Sequence, residues 1–225
     1  GVHFRFDASV CGGMPVLPTL SYGLYSNRIT SIAGILNGTC NSILSTMENN
    51  DLDFQAALAN AQTKGFAEAD PTKDIDGRDS VYKIAILASL IWGKHVDPSA
   101  VAYQGIQSIS ALDAQAHKAD GYSLKLIAYA SEEHCFVKPI YVNNILHSVC
   151  GADNGVLVQG DILPDYFMMG PGAGEATASA VINDVLSCTL LPISSDNTWS
   201  ANTASRSLTA LSGIPELWKE GEPLC

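Results

Sequence analysis

The sequence has few positive charges and no long apolar run. Only 16% of its 225 residues are charged. There are 12 lysines and arginines and 23 aspartates and glutamates, which gives a net charge of −11 at pH 7. A nucleic-acid-binding surface or an anionic-membrane anchor needs a basic patch, so this balance argues against both kinds of partner. The longest apolar stretch, Ile84 to Trp92, is about half the length that spans a bilayer. We therefore expect a globular protein with neither partner.

Cysteine is present but not clustered. The six cysteines stand at positions 11, 40, 135, 150, 188 and 225, and no two have the CxxC spacing. In a chain of this length the pattern favours reduced thiols, and hence a cytoplasmic location, over a disulfide framework. The chain begins with Gly1 instead of methionine, which we interpret as the boundary of a fragment.

Helix and strand signals are both present, without a regular alternation. The patterns predict strands over residues 4–10, 27–33, 123–130, 134–142 and 156–158. They predict helices around residues 43–47, over 54–61 and 79–92, and from 177 to 186. Asp53 is a candidate N-cap for the second helix and Gly65 a candidate stop. The order predicts an α+β fold with a mixed or antiparallel sheet and helices on one face. The helix over 79–92 is apolar almost all round, so we expect it inside the fold.

An acidic segment leads into this helix and is the first candidate site. It holds five carboxylates between Glu68 and Asp79, and Lys83 follows one helical turn later. One interpretation is a solvated loop with a structural i,i+4 ion pair between Asp79 and Lys83. The other is a proton donor, because a lysine among apolar residues is rarely buried without a partner or a function. The residues alone leave both interpretations open.

A glycine loop before the last helix is the second candidate site. The run Gly170-Pro171-Gly172-Ala173-Gly174 precedes a helix predicted to begin near Thr177. Free N–H groups at a helix N-terminus favour anions, so the loop could contact a phosphate-bearing ligand. Its glycine spacing does not match the dinucleotide fingerprint, and a tight turn between packed elements explains it equally well.

Five segments together resemble homoserine dehydrogenases, in that family's order. They are Asp7–Pro15, Gly34–Asn41, Gly65–Pro71, Asp79 with Lys83, and Gly170–Val181. The resemblance extends from about residue 4 to residue 188. It implies that residues 1–225 form the catalytic, substrate-binding and dimerisation region of such an enzyme. It also implies that the nucleotide-binding Rossmann domain lies upstream and outside this chain.

The resemblance implies an activity and a set of roles. The enzyme would reduce L-aspartate 4-semialdehyde to L-homoserine with NADH or NADPH, in the biosynthesis of threonine, methionine and isoleucine. Lys83 would donate the proton, and Asp79 would lie beside the reacting oxygen. Glu68 would hold the substrate amino group.

The remaining implied roles belong to the rim of the site and its surroundings. Asp74, Thr39 and Phe66 would complete the substrate site, and the chain would form a homodimer. The residues implied to face the cofactor are Gly170, Gly172, Ala173, Gly174 and Glu175. A monovalent cation such as Na⁺ would lie in the loop that holds Asp7, Val10 and Gly12, bound largely by backbone carbonyls.

The chain departs from the family pattern at several of these positions. Phe66 stands where a tyrosine is usual, Asp7 is one methylene shorter than the usual glutamate, and Cys11 replaces a small residue. The glycine loop is one residue shorter. Two other classes of function therefore stay open: a catalytically inert dimerisation or small-molecule-binding module, and a purely structural domain.

Overall fold

The structure, a computed structural model, describes residues 4–190. Six strands form one sheet in the order β2-β4-β3-β1-β5-β6. Their bounds are β1 Ile29–Ile35, β2 Ala102–Tyr103, β3 Ser123–Ser131, β4 Cys135–Val142, β5 Asp153–Gly160 and β6 Tyr166–Pro171. Within residues 4–190, β2 runs parallel to β4 and the other four pairings are antiparallel. The predicted mixed sheet is confirmed.

In the described part of the chain, seven α-helices accompany the sheet. Their bounds are α1 Val16–Pro18, α2 Gly38–Asn50, α3 Phe54–Thr63, α4 Thr72–Ile75, α5 Arg78–Trp92, α6 Ala111–Gln115 and α7 Glu175–Leu190. Helices α2 and α5 both contact β3, and together they cover one face of the sheet. The fold is therefore the α+β arrangement that the sequence predicted. No helix within residues 4–190 is long and apolar enough to cross a membrane.

Local residues explain where the main helices begin and end. Asn37 caps α2 by accepting a 2.8 Å hydrogen bond from the Cys40 amide, and Asp53 caps α3 through the Ala56 amide at 2.8 Å. Both caps satisfy an amide that the helix itself leaves without a partner. Gly93 ends α5 with a φ of 61°, a left-handed conformation that glycine adopts without the strain that a side chain would add. The predicted cap at Asp53 is confirmed.

Helix α5 packs one face on the core and is partly open to solvent on the other. Its residues Val81, Ile84 and Leu87 are buried, whereas the side chain of Tyr82 is 54% exposed. The apolar residues follow the 3.6-residue period, so one face packs on the sheet and the other reaches solvent. The helix therefore lies largely inside the fold, as expected, but is not buried on every side, and Lys83 lies at the edge of the core.

The predicted strand over residues 4–10 is also wrong. Residues Asp7–Ser9 form one turn of 3₁₀-helix, closed by a hydrogen bond from the Ser9 amide to the Phe6 carbonyl at 3.0 Å. The Asp7 amide donates to the Asp184 carboxylate of α7 at 2.9 Å. A contact between residues 177 positions apart therefore fixes the backbone here. The alternation of apolar and polar residues, on which the strand prediction was based, cannot reveal such a contact.

The core has a layer on each face of the sheet. On the helix side, Ile32, Leu126 and Val156 of the strands pack with the buried residues of α2 and α5. The opposite face carries a smaller cluster that includes Ile127 and Leu157. The carboxyl end of β1 leads into α2, and Leu36 in the short connection accepts a hydrogen bond from Lys83 of α5, so this junction positions the candidate site.

Candidate active site

Lys83 is held at two points where α5 begins to cover the sheet. Its ammonium lies 2.7 Å from Oδ2 of Asp79, one turn earlier in α5, and donates to the carbonyl of Leu36 at 2.8 Å. Leu36 directly follows β1. The side chains of Lys83 and Asp79 are 20% and 29% exposed, so the pair is partly desolvated while remaining reachable from solvent. An ammonium fixed at the rim of the core is suited to donate a proton to a bound molecule.

Asn37 brings two of the predicted carboxylates together. Its side-chain Nδ2 donates to Oδ1 of Asp74 and to Oδ2 of Asp79, both at 2.8 Å. Asp74 lies in α4 and Asp79 in α5, so the amide joins two elements to the end of β1. The sequence predicted Asp74, Asp79 and Lys83 as one polar cluster, and the structure does place them together. The sequence analysis assigned no role to Asn37. The only local sign of that residue's importance is its position as a helix cap.

The surroundings of Asp74 act on its pKa in both directions. Burial raises the pKa of Asp74 above its ordinary value, and the negative charge of Asp79 adds to the rise. The hydrogen bond from Asn37 and the positive charge of Lys83 act in the opposite direction on the same pKa. The pKa of Asp74 therefore reflects opposing effects of burial and a second carboxylate on one side, and of an amide and a lysine on the other.

Thr39 and Cys40 tie the acidic segment to the start of α2. The Thr39 hydroxyl donates to the Phe66 carbonyl at 2.6 Å, and the Cys40 thiol donates to the Asp74 carbonyl at 3.1 Å. The first bond places the backbone of Phe66, a residue that is 44% exposed, beside Thr39 at the start of α2. Thr39 and Phe66 therefore lie near the residues with which they were predicted to act.

Glu68 stands apart from the lysine cluster. Its side chain is exposed, and its backbone carbonyl accepts a hydrogen bond from Gln62 at 3.1 Å. Within residues 4–190, no hydrogen bond or ion pair joins the Glu68 carboxylate to Lys83, Asp79 or Asp74. Glu68 and the lysine cluster, which were predicted to form one substrate site, are thus not joined by a direct contact between their side chains.

Asn154 of β5 links this cluster to the glycine loop. It is buried, and its Nδ2 donates at 3.0 Å to the Leu36 carbonyl that also accepts from Lys83. A Cβ atom on Gly172 would lie 2.2 Å from Oδ1 of Asn154, so the loop can pass here only without a side chain. The sequence missed Asn154, since its contact with Leu36 spans 118 residues.

The residues predicted to face a cofactor form the turn from β6 into α7. Gly170 still belongs to β6, and Gly174 has a φ of 73° with no atom within 4 Å of where its Cβ would be. Glu175 is the first residue of α7, so the helix begins two residues before the predicted Thr177. The turn brings Gly172, Ala173 and Gly174 to the N-terminus of a 16-residue helix. Its open backbone fits the approach of an anionic ligand.

The loop predicted to hold a cation packs directly against this turn. The Gly13 amide donates to the Pro171 carbonyl at 3.2 Å, and a Cβ on Gly12 would lie 2.3 Å from the Gly172 carbonyl oxygen. Val10 is fully buried. Within residues 4–190, no group of three or more His, Cys, Asp or Glu side chains could hold a metal ion. A cation site here would therefore rest on backbone oxygens, as the resemblance implies.

Asp7 is a buried acid without a full set of partners. Its Oδ1 is buried and has no hydrogen-bond partner in the described part of the chain. Burial raises the pKa of Asp7 to about 6, and the nearby Asp184 carboxylate contributes to that rise. An uncompensated carboxylate in this position is costly unless it is protonated or paired with a positive charge.

These features define an α+β domain with a lysine–carboxylate site at the carboxyl end of β1, linked through Asn154 to a glycine turn at a helix N-terminus. The family model for homoserine dehydrogenase matches residues 15–186. The chain belongs to the homoserine dehydrogenase family.

Curated relatives and solved structures agree with this assignment. The chain is 44% identical over 207 residues to a homoserine dehydrogenase from Synechocystis sp., covering 87% of this chain and 48% of that protein. It is 43% identical to one from Helicobacter pylori over 80% of this chain and 45% of the relative. It thus spans about half the length of the curated relatives that it matches.

Two solved structures show the same fold. A homoserine dehydrogenase from Thiobacillus denitrificans matches with a TM-score of 0.79 and 38% identity, over 82% of this chain and 44% of that one. A hyperthermophilic archaeal homoserine dehydrogenase in complex with NADPH matches with a TM-score of 0.72 and 28% identity, over 85% of this chain and 57% of that one.

Proposed function

We propose that this chain forms the substrate-binding and proton-transferring part of an enzyme that reduces L-aspartate 4-semialdehyde to L-homoserine. The observation that carries the proposal is the Lys83 ammonium, held between the Asp79 carboxylate and the Leu36 carbonyl at the rim of the core. A module that only dimerises or only binds would not need a positioned ammonium beside two carboxylates. Family membership supports the same choice.

The chemistry follows from the charge that develops on the substrate. When hydride reaches the aldehyde carbon, the electron pair of the C=O bond moves to oxygen. Lys83 stabilises that negative charge and transfers a proton to the oxygen, which leaves a neutral amine and the hydroxyl group of homoserine. A bound nicotinamide, NADH or NADPH, supplies the hydride. Asp79 holds the ammonium in place, while Asp74, Thr39 and Phe66 shape the rim.

The cofactor is held mainly by a part of the full-length protein outside this chain, in a Rossmann domain. Relatives about twice as long support this proposal. The turn of Gly172, Ala173 and Gly174 faces the cofactor from the substrate side in this proposal, which the open surroundings of Gly174 support, since no atom lies within 4 Å of its Cβ position. Four half-exposed apolar side chains of α7 fit packing against a further domain; they are Val181, Ile182, Val185 and Leu186.

Glu68 holds the substrate amino group in this proposal. Glu68→Gln in the full-length enzyme should raise the KM for homoserine about tenfold, because the acceptor of the substrate ammonium loses its negative charge and the hydrogen bond weakens, and should change kcat much less. Steady-state kinetics measure both values. Glu133→Gln, another exposed acid on the β3–β4 turn, is the control and should leave both unchanged. An unaltered KM in Glu68→Gln would remove this residue from the substrate site.

A monovalent cation such as Na⁺ binds the loop of Asp7, Val10 and Gly12 in our proposal. The buried Oδ1 of Asp7 without a partner supports a positive charge there. Replacing tetramethylammonium chloride by sodium chloride at equal ionic strength should raise the Tm of the wild type by a few degrees. Asp7→Asn should lose most of that rise. The same Na⁺-dependent rise in both proteins would contradict the site.

The chain forms a homodimer in our proposal, through the sheet face opposite α2 and α5. Phe167 packs at the margin of the smaller core cluster on that face, and Met169 of the edge strand β6 is half exposed. Light scattering should give about twice the mass of one chain at micromolar concentration. Phe167→Lys places a charge on the face and should shift the mass to that of one chain. A wild-type monomer would contradict the proposal.

The free thiols support a cytoplasmic location as part of the same proposal. Within residues 4–190, Cys11, Cys40, Cys135, Cys150 and Cys188 are all free. Unpaired cysteines of this number are typical of a reducing compartment.

A further inference from the structure

Asn37 uses both ends of its amide at the junction between β1 and α2. Its Oδ1 accepts from the Cys40 amide, while its Nδ2 donates to Asp74 and Asp79. The side chain is buried, with 5% of its surface exposed. An exchange of the amide oxygen and nitrogen would break all three bonds, so the surroundings fix its orientation.

The two carboxylates need such a donor to stay side by side. Both contact the same Nδ2 atom at 2.8 Å, so two negative charges lie close together in a partly desolvated site. Like charges at this separation repel, and the charged groups that face Asp74 are Asp79 and Lys83. The amide and the ammonium therefore supply the attraction that offsets the repulsion.

Asn37 and Lys83 also converge on one atom. Oδ2 of Asp79 accepts from Asn37 at 2.8 Å and lies 2.7 Å from the Lys83 ammonium. The Lys83 ammonium has two holding contacts, the Asp79 carboxylate and the Leu36 carbonyl. Asn37 fixes the position of the first, and thereby contributes to the position from which Lys83 reaches a ligand.

We propose that Asn37 is a positioning residue, which holds Asp74 and Asp79 together as carboxylates and thereby aims Lys83 at the substrate. Its effect on turnover rests on the proposed function, whereas its effect on the two carboxylates does not. The residue touches the side chains of the site and not the reacting atoms.

Asn37→Asp tests the proposal with little change of shape. Aspartate caps a helix as well as asparagine, so α2 keeps its cap while the two donated hydrogen bonds are replaced by a third negative charge. In the 225-residue chain, carboxyl-carbon NMR should show the pKa of Asp74 raised by about one unit or more. In the full-length enzyme, kcat should fall about 10- to 100-fold, and activity should be lost at a higher pH than in the wild type as pH falls.

Two further variants separate positioning from folding. Asn37→Ser keeps a capping oxygen without adding a charge, so it should lower kcat less than Asn37→Asp does, and it serves in its place if the aspartate variant does not fold. Ser110→Ala removes the capping box of α6 and should lower the Tm while leaving the Asp74 pKa and kcat unchanged.

A folded Asn37→Asp protein with a wild-type Asp74 pKa and wild-type kcat would overturn the proposal. If the wild-type enzyme does not turn over homoserine, the proposed function fails instead. The NMR comparison still decides the role of Asn37 in that case.

Discussion

Replacing Lys83 by alanine in the full-length enzyme is expected to lower turnover by about 10²- to 10⁴-fold, the usual cost of losing a placed proton donor. Binding of homoserine should fall much less, because Glu68 and the rim residues remain. Asp79→Asn should also lower turnover, since the 2.7 Å contact that orients the ammonium loses its charge. Steady-state kinetics and melting temperatures should be measured on the same samples.

A purely structural ion pair predicts another pattern for these two variants. Both would lose thermal stability, and turnover per folded molecule would stay near the wild-type value. A folded Lys83→Ala enzyme with near-normal turnover would therefore end the catalytic assignment, whatever the family suggests.

Gly12→Ala is expected to lower the free energy of unfolding by about 2 to 5 kcal/mol. Part of the loss is the left-handed backbone, with a φ of 49°, which costs a residue with a side chain about 1 to 2 kcal/mol. The rest is overpacking, typically about 1 to 3 kcal/mol, because the new Cβ would lie 2.3 Å from the Gly172 carbonyl oxygen. Urea denaturation of the 225-residue chain measures the change.

Gly65→Ala is the matched control for this prediction. Gly65 has a φ of 75° but no atom within 4 Å of its Cβ position, so only the backbone cost of about 1 to 2 kcal/mol applies. The difference between the two variants measures how closely the loop after Asp7 approaches the glycine turn. Equal losses in the two variants would contradict the close contact between these loops.

The fold class and the core of the site could be predicted because their causes are local. The Asp79–Lys83 pair follows from i,i+4 spacing on one helix, and Asp53 and Gly65 mark the two ends of α3 through ordinary capping chemistry. Alternation predicted β3 and β4 almost to the residue. These signals lie within a few positions of the residues that they describe.

The predictions that were wrong or missing concern features that contacts between distant residues determine. The turn at Asp7–Ser9 replaces a predicted strand because the Asp7 amide binds Asp184, far along the chain. Asn37 meets Asp74 and Asp79 across 37 and 42 residues, and Asn154 meets Leu36 across 118. An asparagine within a strand or at a helix cap carries no local sign of such partners, so only the folded structure reveals them.

The most direct test of the central claim is a crystal structure of the full-length enzyme with bound L-homoserine. We expect the substrate hydroxyl oxygen within about 3 Å of the Lys83 ammonium, a hydrogen-bonding distance. The substrate amino group should point towards Glu68, with the reacting carbon facing the glycine turn. Homoserine bound with its hydroxyl away from Lys83, at a site that involves neither Asp79 nor Asp74, would contradict the account.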